Sequence, residues 1–149
     1  VSYEWDLDND GQFDDATGVK PKFTAIDNGV FTVSVRVTDA GGLSSVDSAI
    51  VTVKNLPPVV MFMTVPNSIR KGTLMNVSAV FKDAGVNDTF TAVWNWGDGT
   101  TSSGNVSGYT VTGSHTYTKT GSYVVTITIT DKDGGVCHAH VTVMVYWKK

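Results

Sequence analysis

The feature that most restricts this chain is that part of it is written twice. Val30-Phe-Thr-Val-Ser-Val-Arg-Val-Thr-Asp39 lies over Ser122-Tyr-Val-Val-Thr-Ile-Thr-Ile-Thr-Asp131 at a constant offset of 92 residues, and Gly29 falls on Gly121. At the same offset Ala49-Ile-Val-Thr-Val53 falls on Val141-Thr-Val-Met-Val145. Upstream, Trp5-Asp-Leu-Asp8 matches Trp94-Asn-Trp-Gly97 with the offset shortened by three. Self-similarity at a fixed period marks a repeated structural unit. A period near 90 residues suits one small two-sheet sandwich per copy.

Within each copy the apolar residues recur every second position. Phe31, Val33, Val35 and Val37 alternate with Thr32, Ser34, Arg36 and Thr38, and Tyr123, Val125, Ile127 and Ile129 behave in the same way. Period 2 is the signature of a strand with one face buried and one wet. Nowhere does an apolar stripe of period 3.6 run for three turns. Gly41-Gly42 and Gly134-Gly135 stand between strands, where positive φ is easily reached. The expected fold is therefore all-β, an antiparallel Ig-like β-sandwich in tandem copies, the first incomplete.

Asn55-Leu-Pro-Pro58 separates the copies, because two prolines remove ladder donors and stiffen the chain. The expected organisation is residues 1–54 as the C-terminal part of one repeat, 55–58 as a proline linker and 59–146 as a complete domain. Strands are predicted near 59–65, 74–82, 90–96, 109–117, 122–130 and 137–146, and Val1–Trp5 reads as a strand rather than a signal peptide. The first copy lacks counterparts of 59–65 and 74–82, so roughly 30 to 35 residues of the repeat precede Val1 by the offset. A sandwich short of two strands leaves apolar side chains and sheet edges uncovered. A longer tandem array, strand addition from a neighbouring copy, or a reduced fold each resolves that gap.

Composition excludes several function classes. Eleven scattered basic residues against fourteen acidic ones, net −3, give no footprint for nucleic acid or an anionic membrane surface. No run of 18 apolar residues exists, so no membrane insertion is expected. The single cysteine, Cys137, excludes an internal disulfide and reads as a small core residue. No G-x-S-x-G elbow, H-E-x-x-H helix or phosphate loop occurs, and the adjacent Ser114 and His115 point to opposite faces of a strand. Catalysis is not expected.

Trp94-Asn-Trp-Gly-Asp-Gly99, Ser114-His-Thr-Tyr117, Gly121-Ser-Tyr123 and Val125-Thr-Ile-Thr-Ile-Thr-Asp131 together resemble the polycystic-kidney-disease (PKD) domain. Phe81-Lys-Asp-Ala-Gly85 with Asn87-Asp-Thr89 is similar to the prokaryotic form, and Trp5-Asp-Leu-Asp-Asn-Asp-Gly11 to the variant in large bacterial and archaeal surface proteins. The resemblance implies a two-sheet Ig-like sandwich. It also implies a tandem module at a prokaryotic cell surface or outside the cell, serving as spacer, adhesion or assembly element. Its partners would be protein, through self-assembly or neighbouring repeats, or else polysaccharide or collagen. An accessory module of a secreted hydrolase is the second implication.

The sharpest chemical signal is Asp6-Leu-Asp8-Asn-Asp10-Gly-Gln12-Phe-Asp14-Asp15. Alternate carboxylates followed by glycine fit the start of a calcium loop, with Asp6, Asp8, Asp10, the Gln12 carbonyl and Asp14 or Asp15 as ligands. An EF-hand is excluded, since no flanking helices exist and Thr17 stands where the loop needs Glu. The alternative is a solvated acidic turn. Asp83, Asp88 and Asp131 form a sparser metal candidate, and His138 with His140 lacks a third ligand and reads as surface. Trp94, Trp96 and His115 read as structural, and Asp98 as a turn residue. Asn76, Asn87 and Asn105 open glycosylation sequons. Tyr109, Tyr146 and Trp147 are the candidate sugar-stacking residues.

Overall fold

The structure is a computed structural model and describes residues 1–147. Among these residues every regular element is a strand, and the chain divides into two compact units, Val1–Asn55 and Leu56–Lys149.

The second unit is a sandwich. Its strands are β5 (Val59–Thr64), β6 (Ser68–Arg70), β7 (Leu74–Lys82), β8 (Phe90–Asn95), β9 (Thr101–Ser103), β10 (Asn105–Ser107), β11 (Thr110–Thr116), β12 (Gly121–Asp131) and β13 (Val136–Tyr146). One sheet runs β10-β11-β7-β5 and the other β6-β13-β12-β8-β9; all pairings are antiparallel except the short parallel contact of β6 with β13. The alternation decides what lies between the sheets. Met75, Val77, Ala79 and Phe81 of β7 face Trp94, Val125, Ile127, Ile129, Val143 and Val145 from the other sheet, and all are buried. Burial of such side chains contributes about 1.5–3 kcal/mol each before ordering costs.

Trp94 is fully buried, and room for its indole is made by Gly113 on β11. A Cβ there would sit 2.6 Å from Trp94 Cδ1 and Nε1, closer than a carbon contact allows. The indole N–H donates to Thr112 O at 3.3 Å, so its polar edge is satisfied.

The first unit holds β1 (Ser2–Asp6), β2 (Ala16–Thr17), β3 (Gly29–Thr38) and β4 (Ser44–Val53), forming a single sheet in the order β2-β1-β3-β4. Its β3–β4 hairpin repeats the β12–β13 hairpin in register. Gly29 pairs with Val53 and Thr38 with Ser44, as Gly121 pairs with Val145 and Thr130 with Val136. Trp5 opposes Val35 as Trp94 opposes Ile127.

The apolar face of β3 is as open as the missing strands imply: only Val33 on it is buried, while Phe31, Val35 and Val37 are half-buried. The first unit departs from expectation in one respect. Residues 18–28, which occupy the place of β10 and β11, form no strand, so counterparts of these two are missing besides the two expected. The reason is pairing: β11 bonds along its whole length to β7, and the first unit has no β7 equivalent. Phe23 from this segment still packs edge-on against Phe31 at 5.5 Å, much as Tyr117 stacks on Tyr123 at 4.4 Å.

Candidate functional site

The acidic loop joins the end of β1 to the start of β2. Asn9 (φ 62°) and Gly11 (φ 87°) turn the chain back on itself. Backbone amides then aim the carboxylates. Gly11 N–H donates to Asp6 Oδ2 (3.0 Å), Asp10 N–H to Asp8 Oδ1 (3.1 Å), and both Leu7 and Asp8 N–H to Asp15 Oδ2 (2.6 and 3.1 Å). One carboxylate oxygen from each of Asp6, Asp8 and Asp15 lies within 4.8 Å of the others. Asp6 is only 3% exposed.

The structure does not bring all the candidate residues together. Asp10 spends both carboxylate oxygens on Gln12, accepting from its backbone N–H (2.7 Å) and its side-chain amide (2.9 Å). Of the alternatives Asp14 and Asp15, Asp15 joins the cluster and Asp14 does not. Alternation along the sequence could not separate these residues, because the loop is not a strand and its amides choose which carboxylates converge.

Asp83, Asp88 and Asp131 also meet, each with one oxygen within 4.8 Å of the others. Here a lysine already supplies positive charge: Lys132 Nζ lies 2.9 Å from Asp88 Oδ1 and also pairs with Asp133. Asp131 Oδ1 accepts from the N–H of Asp133 and of Gly135, which closes the β12–β13 turn. Asp39 plays the same part in the first unit, accepting from Gly41 and Leu43.

His115 is stacked on Trp96 (centroids 4.8 Å, 10° apart) and its Nε2 lies 2.8 Å from Asp98 Oδ2. Burial raises the Asp98 carboxyl, but hydrogen bonds with Thr100 and His115 and the charge of His115 outweigh it and leave it below 3.8. Tyr117 donates to Trp96 O at 2.8 Å; burial, then the charges of Asp98 and Tyr123, push its phenol up to about 12. These groups tie the Trp94–Gly99 turn to β11. Cys137 is half-buried against the core and desolvation raises its thiol.

The three surface aromatics do not form one patch. Tyr109 leans on Phe81 and Phe90 and lines a groove with Thr89 and Val106. Trp147, 61% exposed, lies under the Lys71 ammonium (5.0 Å) beside Thr118, Lys119 and Thr120. Tyr109 precedes β11 and Thr118 follows it, so they stand at opposite ends of a strand about 20 Å long. Tyr146 is exposed at the end of β13. Asn76, Asn87 and Asn105 are all exposed, and Asn76 and Asn105 line one hydroxyl-rich groove with Ser78, Ser102 and Thr112. Sequence reading missed that groove, since its residues come from five separate strands.

Comparison with known proteins settles the class. A family profile described as the PKD domain matches residues 55–145. The PKD domain of an M14-like peptidase from Thermoplasmatales archaeon SCGC AB-540-F20 is 30% identical, with 62% of this chain and 98% of that one covered and a TM-score of 0.53. The PKD1 domain of the Vibrio cholerae metalloprotease PrtV is 24% identical, covering 60% and 98%, at a TM-score of 0.43. The amphioxus IgVJ-C2 molecule shares the fold over 96% of this chain and 87% of its own, at 16% identity and a TM-score of 0.53. The chain belongs to the PKD-domain family, and the resemblance read from the Trp94–Asp131 motifs is borne out. Among the described residues no helix is long and apolar enough to cross a membrane.

Proposed function

We propose that this chain is a non-catalytic extracellular module of a larger surface or filament protein, working as spacer, adhesion or assembly element through tandem β-sandwich repeats, the first of them incomplete here. The observation that carries the reading is recurrence: one hairpin appears twice, in the same register, in two compact units of one chain. Repetition adds length and surface, which serve reach and assembly and do nothing for turnover at a single centre. The packing of His115 between Trp96 and Tyr117 supports a structural use of the one buried-side imidazole.

A second reading is favoured by one comparison. The related archaeal domain is part of an M14-like peptidase, and an accessory module that holds polysaccharide or collagen for an attached hydrolase fits the exposed Trp147 beside Lys71. One pair of assays separates the two. The 149-residue chain is mixed with insoluble chitin, cellulose and collagen, and its self-association is followed by sedimentation. Concentration-dependent self-association without retention is expected. Retention that Trp147→Ala abolishes overturns the spacer reading in favour of the accessory one; neither retention nor self-association overturns both.

A further inference from the structure

We propose that the loop between β1 and β2 is a calcium site whose protein ligands are the carboxylates of Asp6, Asp8 and Asp15, while Asp10 and Gln12 brace each other beside it. Asp6 carries the argument. It is buried, its Oδ2 is engaged by the Gly11 amide, and its Oδ1 is buried with no hydrogen-bond partner among the described residues. A buried carboxylate oxygen without a donor costs free energy that a cation offsets. No lysine or arginine pairs with Asp6, Asp8 or Asp15 among the described residues, whereas Glu4 nearby is paired with Arg36 at 2.7 Å. The local acids therefore keep their charge for something else.

The spacing suits the ion. Two oxygens on one calcium, each 2.3–2.6 Å from it, stand at most about 5 Å apart. The oxygens of the three carboxylates already lie within 4.8 Å of one another. Six to eight oxygens complete a calcium shell. Three carboxylates supply three to six of them, and water reaches the rest, since Asp8 and Asp15 are exposed. The amides that hold Asp6, Asp8 and Asp15 fix these side chains before any ion arrives, so little order is lost on binding. Asp10 has both oxygens committed to Gln12 and lacks that freedom.

Placement gives the ion a mechanical role. Asp6 ends β1 and Asp15 directly precedes β2, a two-residue edge strand that pairs with β1 through Glu4–Thr17 and Trp5–Ala16. A bound ion fastens that edge to the single sheet of the first unit. This use rests on the spacer reading, but the site itself does not.

The test is calcium titration of the chelator-treated 149-residue chain, followed by calorimetry and by backbone amide NMR shifts. Affinity in the range of about 10⁻⁴–10⁻³ M, usual for extracellular modules, is expected. Amide shifts should be saturable and centred on residues 6–15. Asp6→Asn and Asp15→Asn keep an acceptor oxygen for the loop amides and should each weaken binding at least tenfold. Asp10→Asn should stay within twofold. Unmoved amides at 6–15 in about 10 mM calcium, some tenfold above the expected Kd, overturn the site without recourse to any variant. So does equal loss in Asp10→Asn, or an equal response to magnesium chloride. Each of these failures leaves the self-association assay, and the reading it tests, untouched.

Discussion

The hairpins β3–β4 and β12–β13 are one design in two settings. Their registers coincide pair for pair, and their sequences share the same inward positions. In the second unit Val125, Ile127 and Ile129 are fully buried because β7 and β11 lie across them. In the first unit the corresponding Val33, Val35 and Val37 have no facing sheet, and only Val33 is buried. The polar side chains shift accordingly. Ser45 and Asp47 stand where Cys137 and Ala139 pack against the second core. Ile50, at 72% exposure, stands on the outward face where the second unit has Thr142. A hairpin's register thus comes from its own sequence, and its burial from what another segment lays over it.

Four measurements put that contrast to the test. The largest effect belongs to the paired tryptophans. Trp94→Ala should cost the second unit about 3–5 kcal/mol, the range for emptying a large aromatic site, read from denaturant unfolding. Trp5→Ala, at the matching position, should cost less than half of that, because Trp5 is only half-buried and its N–H bonds Gly18 O at 2.8 Å near solvent. Equal losses would show that the first unit has a core of its own. Next in size is Gly113→Ala, which drives a methyl into the Trp94 indole and should cost about 1–3 kcal/mol; a neutral result in the same unfolding assay would mean that the sheets separate freely there.

Hydrogen exchange tests the two hairpins side by side. Amides of β3 and β4 should exchange at least about tenfold faster than their partners 92 residues on in β12 and β13, since sheets lacking buried apolar cover open locally. Matched protection would contradict the contrast. The smallest effect is acid sensitivity of the Asp98 turn. Its folded carboxyl lies below the unfolded 3.8, so its contribution is complete above that value and is lost as pH falls through the lower folded one. The second unit should lose stability on that descent, and Asp98→Asn should flatten the loss; an unchanged acid profile in the variant would remove Asp98 from the account.

Much of this was legible from residues alone. Alternation located β3, β7, β8, β12 and β13 to within a residue or two, because period 2 is a local consequence of the pleat. The short β6, β9 and β10 carry too few residues to show a period, and they appear only as partners of longer strands. The acidic loop was visible as a composition, yet which three of its carboxylates converge was not. That choice depends on where the Leu7, Asp8, Asp10 and Gly11 amides point once the loop has turned.

The strand period, the doubled hairpin and the PKD resemblance could be read from the residues alone. Each is written in neighbouring residues or in direct repetition along the chain. The three-dimensional packing set which of the two like hairpins is buried, that residues 18–28 form no strand, that Gly113 makes way for Trp94, and that Asp6, Asp8 and Asp15 meet without Asp10. Those outcomes rest on contacts between segments far apart or on the closure of a loop, and pattern within one strand carries no information about either.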